Sequence, residues 1–298
     1  MSAECDGNPL AKKFRISDCD QRDIDVLIEI IKDNNLTKQT KSLFGKIKKV
    51  HLEPFEIGIQ TWSYGRLISI NFSGLNLKTL PNSIGILTTL EKLELSNNKL
   101  TTLPEGFGGL KPLKYLYIAN NELKSLPNSI RNLDRLRELD LGNNFISKLP
   151  NDFGELKTLK LLDLNNNKLN QLPNSFKKFR NLVKLDLSNN ILEKLDEQIG
   201  DLARLVELSA RNNYISFLPK NIGNLRNIER IYFSGNNITS IPKSIGNCYT
   251  LIELDISHNK IDEIPVELGY LDIMEILDLS NNEISEIPLE INQLNKLI

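Results

Sequence analysis

The chain has 298 residues, 40% of them hydrophobic and 25% charged, with 37 basic and 38 acidic side chains for a net charge of −1. That balance describes a folded chain with enough apolar residues for a core, and it excludes a global field toward nucleic acid or an anionic membrane. Two histidines and 6% aromatics leave few groups for catalysis or base stacking.

Residues 1–17 carry Lys12, Lys13 and Arg15 with no apolar run behind them. They are expected to form a disordered tail, not a secretory signal. Residues 18–66 read as a cap. Ser17 or Asp18 is placed to cap a helix whose Ile24, Leu27, Ile28 and Ile31 follow helical spacing. A second stripe, Leu43, Phe44, Ile47 and Val50, predicts further helix. Phe55, Ile57 and Ile59 alternate as a strand, Thr61 to Gly65 supply a turn, and the chain enters its next strand at Arg66. Lys38, Lys41, Lys46, Lys48 and Lys49 run without an acid between them and are read as a solvated face.

From Leu67 the chain repeats every 23 residues without insertion or deletion, in ten rows beginning at Leu67, Leu90, Leu113, Leu136, Leu159, Leu182, Leu205, Ile228, Leu251 and Met274. Positions 4 and 6 alternate as in a strand, for example Leu93 and Leu95. Position 9 is asparagine in nine rows, from Asn98 to Asn282. An amide offers donor and acceptor together, so a column of asparagines can bond the backbone of adjacent turns at a corner. Proline at position 15, as in Pro104, predicts an extended or loosely helical return leg. One turn cannot enclose its own apolar side chains, so the rows must stack around a shared core, with one parallel strand per turn. Residues 67–298 are thus one repeat domain, ending at the start of an eleventh row.

Departures from the frame are informative. Leu75 stands where asparagine belongs, Asp196 replaces proline, and Ala210 occupies a core position. Phe217, at a usually polar position of the same row as Ala210, is expected to fill the missing volume. Cys5, Cys19 and Cys248 form neither a disulfide framework nor a zinc pattern. Cys248 takes a core position and His258 a solvent-facing one. No phosphate loop, CxxC, HExxH or G-x-S-x-G is present, so no catalytic, cofactor or metal site is expected. No stretch reaches the ~18 apolar residues of a membrane span. Without disulfide caps a reducing, cytoplasmic location is expected, and the sequons at Asn35, Asn71 and Asn237 carry little weight.

The acidic column at position 5 (Glu94, Asp140, Asp163, Asp186, Asp255 and Asp278) recurs too regularly to mark a site. Residues that break the default mark one better. On the solvent face of the strands these are Tyr115, Tyr117, Leu161, Arg211, Arg230 and Tyr232. On the adjoining rim, position 10 carries Phe145, Ile191 and Tyr214. Tyrosine and arginine are enriched among residues that dominate binding energy. A protein-binding site is expected over Tyr115, Tyr117, Leu161, Ile191, Arg211, Tyr214, Arg230 and Tyr232. The patch around Ile191, Arg211 and Tyr214 ranks first.

The rows match LxxLxLxxNxLxxLPxxIGxL, and in this the chain resembles leucine-rich-repeat proteins. The tail Leu80–Pro81–Asn82–Ser83–Ile84–Gly85–Ile86–Leu87 is similar to intracellular Ras-group and Ras-suppressor-like repeats and to bacterial and archaeal arrays. The expected fold is an α/β solenoid, a right-handed horseshoe with a parallel concave sheet and short 3-10 or extended convex legs. The resemblance implies a non-catalytic scaffold or adaptor for protein partners, sometimes small GTPases or phosphatases, in intracellular signalling. Two other roles remain open at this point. One is a self-assembling structural role, with weak self-association through the C-terminal edge. The other is a regulatory module of a larger signalling enzyme.

Overall fold

A computed structural model of the chain describes residues 18–41 and 47–298. The expected tail, with Ser17, and Leu43 and Phe44 of the second stripe lie outside the described residues. The chain divides into two compact units, Met1–Glu138 and Leu139–Ile298.

The first unit opens with helix α1, Gln21–Asp33. Its N-cap is Asp20, not Ser17 or Asp18: the Asp20 carboxylate accepts the N–H of Arg22 at 2.9 Å. Ile24, Val26, Leu27, Ile30 and Ile31 are buried, while Ile28 is only half-buried. Asp23 is fully buried beside them. Its carboxylate accepts from Arg66 Nε at 2.9 Å, Arg66 Nη2 at 3.0 Å and the Leu67 N–H at 2.9 Å. A buried carboxylate is stable only when paired in this way, and this one ties the helix to the start of the first repeat. Asn34 adds a second tie, its amide donating to the Thr79 carbonyl and accepting the Lys78 N–H.

The described part of the second stripe, Ile47 and Val50, is not helical. Ile47–His51 (β2) pairs antiparallel with Thr37–Lys41 (β1). The antiparallel pairing satisfies the backbone of this segment and overrides the local spacing. Pro54–Glu56 form a 3-10 turn that removes Phe55 from the expected strand. The hairpin is formed by β3, Ile59–Ser63, and β4, Arg66–Asn71. Its turn is only Tyr64–Gly65, both at positive φ, 49° and 76°, the primed two-residue geometry. Trp62 is buried on the hairpin, donating from Nε1 to Gln60 Oε1 at 2.9 Å. Strand β4 then pairs in parallel with β5, Lys92–Glu94, and β5 with β6, Tyr115–Tyr117.

In the second unit β8, Leu161–Asp163, β9, Lys184–Asp186, β10, Glu207–Ser209, β11, Arg230–Tyr232, β12, Glu253–Asp255, and β13, Ile276–Asp278, pair successively in parallel. Strand β7, Glu138–Asp140, lies at the division between the units.

Each turn is built alike. The strand is three residues long in most turns because position 8 bends the chain into left-handed backbone. Gly74, Asn97, Asn120, Asn143, Asn166, Asn189, Asn212, Gly235, His258 and Asn281 all have positive φ. Glycine and asparagine tolerate that region best, which explains position 8 and leaves His258 as its one unusual occupant. The position-9 asparagines bond as the sequence predicts. Asn190 Nδ2 donates to Leu187 O at 2.9 Å in its own turn and to Leu164 O at 3.0 Å in the turn before, and its Oδ1 accepts the Leu169 N–H at 2.9 Å. In most turns the residue at position 15 then offers its carbonyl to a 3-10 turn. Asp196 does so to Ile199 at 3.1 Å with φ −71°, so the lost proline changes nothing locally.

Two core expectations fare differently. Cys248 is buried, and burial pushes its thiol up to about 12. Phe217, however, is 63% exposed and does not fill the space beside Ala210. The neighbouring turn supplies Phe233, fully buried at the same position as Ala210, a large residue beside a small one.

Candidate functional site

The position-5 carboxylates have a structural task. Asp163 accepts the Asn165 N–H at 2.8 Å, Asp186 that of Ser188 at 2.8 Å and Asp278 that of Ser280 at 2.9 Å. Each caps the corner that follows its strand. Among the described residues no group of three histidines, cysteines or carboxylates could hold a metal ion. No helix there is long and apolar enough to cross a membrane.

Tyr117 and Tyr232 give up that cap and take another partner. In the first unit Tyr117 donates to Glu138 Oε2 at 2.5 Å, and Lys92 Nζ lies 5.4 Å from its ring centroid. In the second unit Tyr232 donates to Glu253 Oε2 at 2.7 Å, and the Arg211 guanidinium lies 4.1 Å from its ring centroid. Burial and the carboxylate partner push the Tyr232 phenol up to about 12. The Tyr117 phenol rises for the same reasons. Arg211 also pairs with Asp255 Oδ2 at 3.0 Å, so it crosses the whole Tyr232 turn. Burial alone would raise Asp255, but hydrogen bonds from Ser257, Arg211 and Ser234 outweigh it and hold the carboxyl below its ordinary value. Asp163 has less help: the Asn165 N–H and the charge of Lys184 lower it, but they do not outweigh burial. Burial, then the charges of Asp186 and Asp140, push it up to about 6.

The other candidates are more loosely held. Arg230 lies 3.4 Å from Glu229 and 3.8 Å from Glu207. Tyr115 is half-buried opposite Lys92. Leu161 is 36% exposed opposite Lys184. Tyr115 and Tyr117 belong to the first unit and the other six to the second.

The rim of the second unit is more open. Phe145 is 45%, Ile191 43% and Tyr214 57% exposed. Lys168 fills position 10 between Phe145 and Ile191, with its ammonium 4.9 Å from the Phe145 ring centroid. The same 23-residue frame places Lys168 in that column, but a search for apolar exceptions passes over it. Asp255, two turns from Arg211, stands in the sequence only as one member of the regular acidic column, and nothing there marks it as the partner of Arg211.

The description "Leucine-rich repeat region" matches residues 129–213, and "Leucine rich repeat" matches 66–123, 88–146 and 226–284. A leucine-rich-repeat protein of Leptospira interrogans is 32% identical, with 76% of this chain and 70% of that one covered and a TM-score of 0.64. The ectodomain of a plant membrane receptor kinase from Arabidopsis thaliana, in complex with Casparian strip integrity factor 2, is 28% identical with a TM-score of 0.73. A plant peptide hormone receptor in complex with RGF2 is 26% identical with a TM-score of 0.65. The matches cover 78% and 88% of this chain but only 29% and 40% of those two receptors. No curated protein matches the chain.

Proposed function

The chain belongs to the leucine-rich-repeat family, and on that premise we propose that it binds protein partners through the strand face and adjoining rim of its second unit. It is a scaffold or adaptor and not a catalyst. The observation that carries this reading is the exposed pair Ile191 and Tyr214 on adjacent turns of the rim, with Phe145 in the same column beyond Lys168, in the turns that also hold the Arg211–Tyr232 pair. Clustered exposed apolar groups mark contact surfaces, and a pre-bonded arginine and tyrosine lose little freedom when a partner arrives. Two receptors of similar fold are complexed with protein or peptide ligands, which supports a binding role for this chain. The likeness of its repeat tail to the Ras-group repeats makes an intracellular signalling role, with a small GTPase or a phosphatase as partner, the first to test.

Alanine replacement of Ile191, Arg211, Tyr214 and Tyr232, followed by titration of a partner captured on the native chain, tests the assignment. Each replacement is expected to weaken binding. Unchanged affinity in all four would remove the site.

A further inference from the structure

We propose that the rim column Phe145, Lys168, Ile191 and Tyr214 docks a single amphipathic α-helix of a protein partner, with a carboxylate of that helix facing Lys168. This rests on the protein-binding reading above and names the form of the partner.

Register comes first. The N–H of Lys168 donates to the Ile146 carbonyl at 2.9 Å, that of Ile191 to Leu169 at 3.0 Å and that of Tyr214 to Leu192 at 2.9 Å. These bonds form a second backbone ladder beside the sheet. They hold the four side chains one turn apart, at ~4.8 Å intervals and about 14 Å in all. An α-helix advances ~5.4 Å per turn, so residues i, i+4, i+7 and i+11 lie on one stripe about 16 Å long. The two spacings drift apart by only about 2 Å over all four rim residues, which an extended segment already reaches in one step. An extended segment repeats on one face only every ~6.6–6.8 Å and is out of step by the second.

Charge then sets which position carries the acid, counted from the residue over Phe145. Lys168 has no carboxylate partner in an ion pair among the described residues; its neighbour is the face of Phe145. Lys148 and Lys194 follow at position 13 of the Phe145 and Ile191 turns, the latter tied to Asp196 at 2.9 Å. Glu193, at position 12, is the opposing charge in the Ile191 turn. Toward the strand face the column is flanked by the exposed, uncharged amides Asn143, Asn166, Asn189 and Asn212. An apolar, locally basic ledge of this kind favours a helix with apolar residues at i, i+7 and i+11 and an acid at i+4.

The test is selection from a displayed library of 16-residue peptides in a helix-forming framework, panned on the full chain. Enriched peptides should carry that pattern. Ile191→Ala and Tyr214→Ala should each weaken them about tenfold or more, and panning on Lys168→Glu should shift the i+4 preference to lysine or arginine. Three results would overturn the helix: winners indifferent to both alanine variants, winners with apolar residues at alternate positions, or an i+4 preference unmoved by Lys168→Glu. Winners weakened instead by Arg230→Ala or Leu161→Ala would leave the binding reading standing without this proposal. No enrichment over bare support would sink the helix and leave the binding reading to the titration of a captured partner.

Discussion

On the strand face of the second unit, the outsized polar side chains are already occupied. Arg211 is shared between Asp255 and the Tyr232 ring, and Tyr232 is bonded to Glu253. On the rim of the same turns, Ile191 and Tyr214 are exposed, and the Lys168 ammonium lies over the Phe145 ring. Both sets break the repeat, yet they differ in kind. The first forms part of the fold's own bonding and is pre-organised. The second has no intramolecular reason to be apolar. A departure from a repeat therefore points to a partner most strongly when the chain itself leaves it unsatisfied.

The sharpest way to break that contrast is the double variant Ile191→Ala/Tyr214→Ala. Partner affinity should fall by roughly 2–4 kcal/mol, because clustered apolar anchors dominate binding. Stability should stay within about 0.5 kcal/mol, since both side chains are exposed. Titration calorimetry and a thermal melt read the two quantities. A melting temperature lowered by several degrees with affinity intact would place these residues in the fold instead.

A second experiment asks whether the strand face is satisfied throughout. Asp163 is its exception, a carboxyl raised to about 6 with no arginine to offset burial. The folded state holds this proton more tightly than the unfolded chain, whose aspartate releases it near 3.9. Stability should therefore fall as pH rises from about 4 to 6 and stay reduced above that window. Asp163→Asn keeps an oxygen for the Asn165 N–H and removes the charge. Allowing for solvent screening of a partly exposed group, it should gain on the order of 1–2 kcal/mol at pH 7.5 and nothing near pH 3.5. Denaturant melts at the two pH values measure it, and equal stability at both would remove Asp163 as the exception.

The parts legible in the sequence are those governed by the period. The 23-residue frame placed the asparagine ladder, the core positions and the strand entry at Arg66. The frame also exposed every candidate binding residue as a departure. What it missed depends on distant pairs or on competition between local patterns. Asp23 reads as an ordinary first-turn acid because its partner Arg66 is 43 residues away. Asp255 is 44 residues from Arg211. Ile47 and Val50 follow helical spacing over too few residues to resist strand pairing. Phe217 stays outside the core because a stacked turn packs against its neighbours, so volume near Ala210 is not set within one row.

Arg211→Ala separates the two regions from the other side. It removes an ion pair that is partly exposed and a cation–π contact, each worth about 0.5–1 kcal/mol. A loss of about 1 kcal/mol is expected, smaller in 1 M salt because the ion-pair share is screened. The Asp255 carboxyl should rise toward its ordinary value, which a titration followed by NMR would show. A loss insensitive to salt would mean that Arg211 acts by packing alone.

The smallest expected effect is the most discriminating, because it compares matching arrangements in the two units. Tyr117→Phe and Tyr232→Phe each delete one hydroxyl that donates to a glutamate of the following turn, at 2.5 and 2.7 Å. A bond to a charged group is worth about 1.5–3 kcal/mol when well shielded, and partial exposure of both pairs cuts that, so each should cost about 0.5–1.5 kcal/mol. The cations above the rings differ, however. Lys92 lies 5.4 Å from the Tyr117 centroid, and Arg211 lies 4.1 Å from that of Tyr232 and is anchored to Asp255. Phenylalanine preserves the ring, so the Arg211 contact should survive Tyr232→Phe, and a double-mutant cycle of Tyr232→Phe with Arg211→Ala should be nearly additive. Strong coupling in that cycle would show that hydroxyl, ring and guanidinium act as one network, and that this part of the strand face is held more rigidly than its first-unit counterpart.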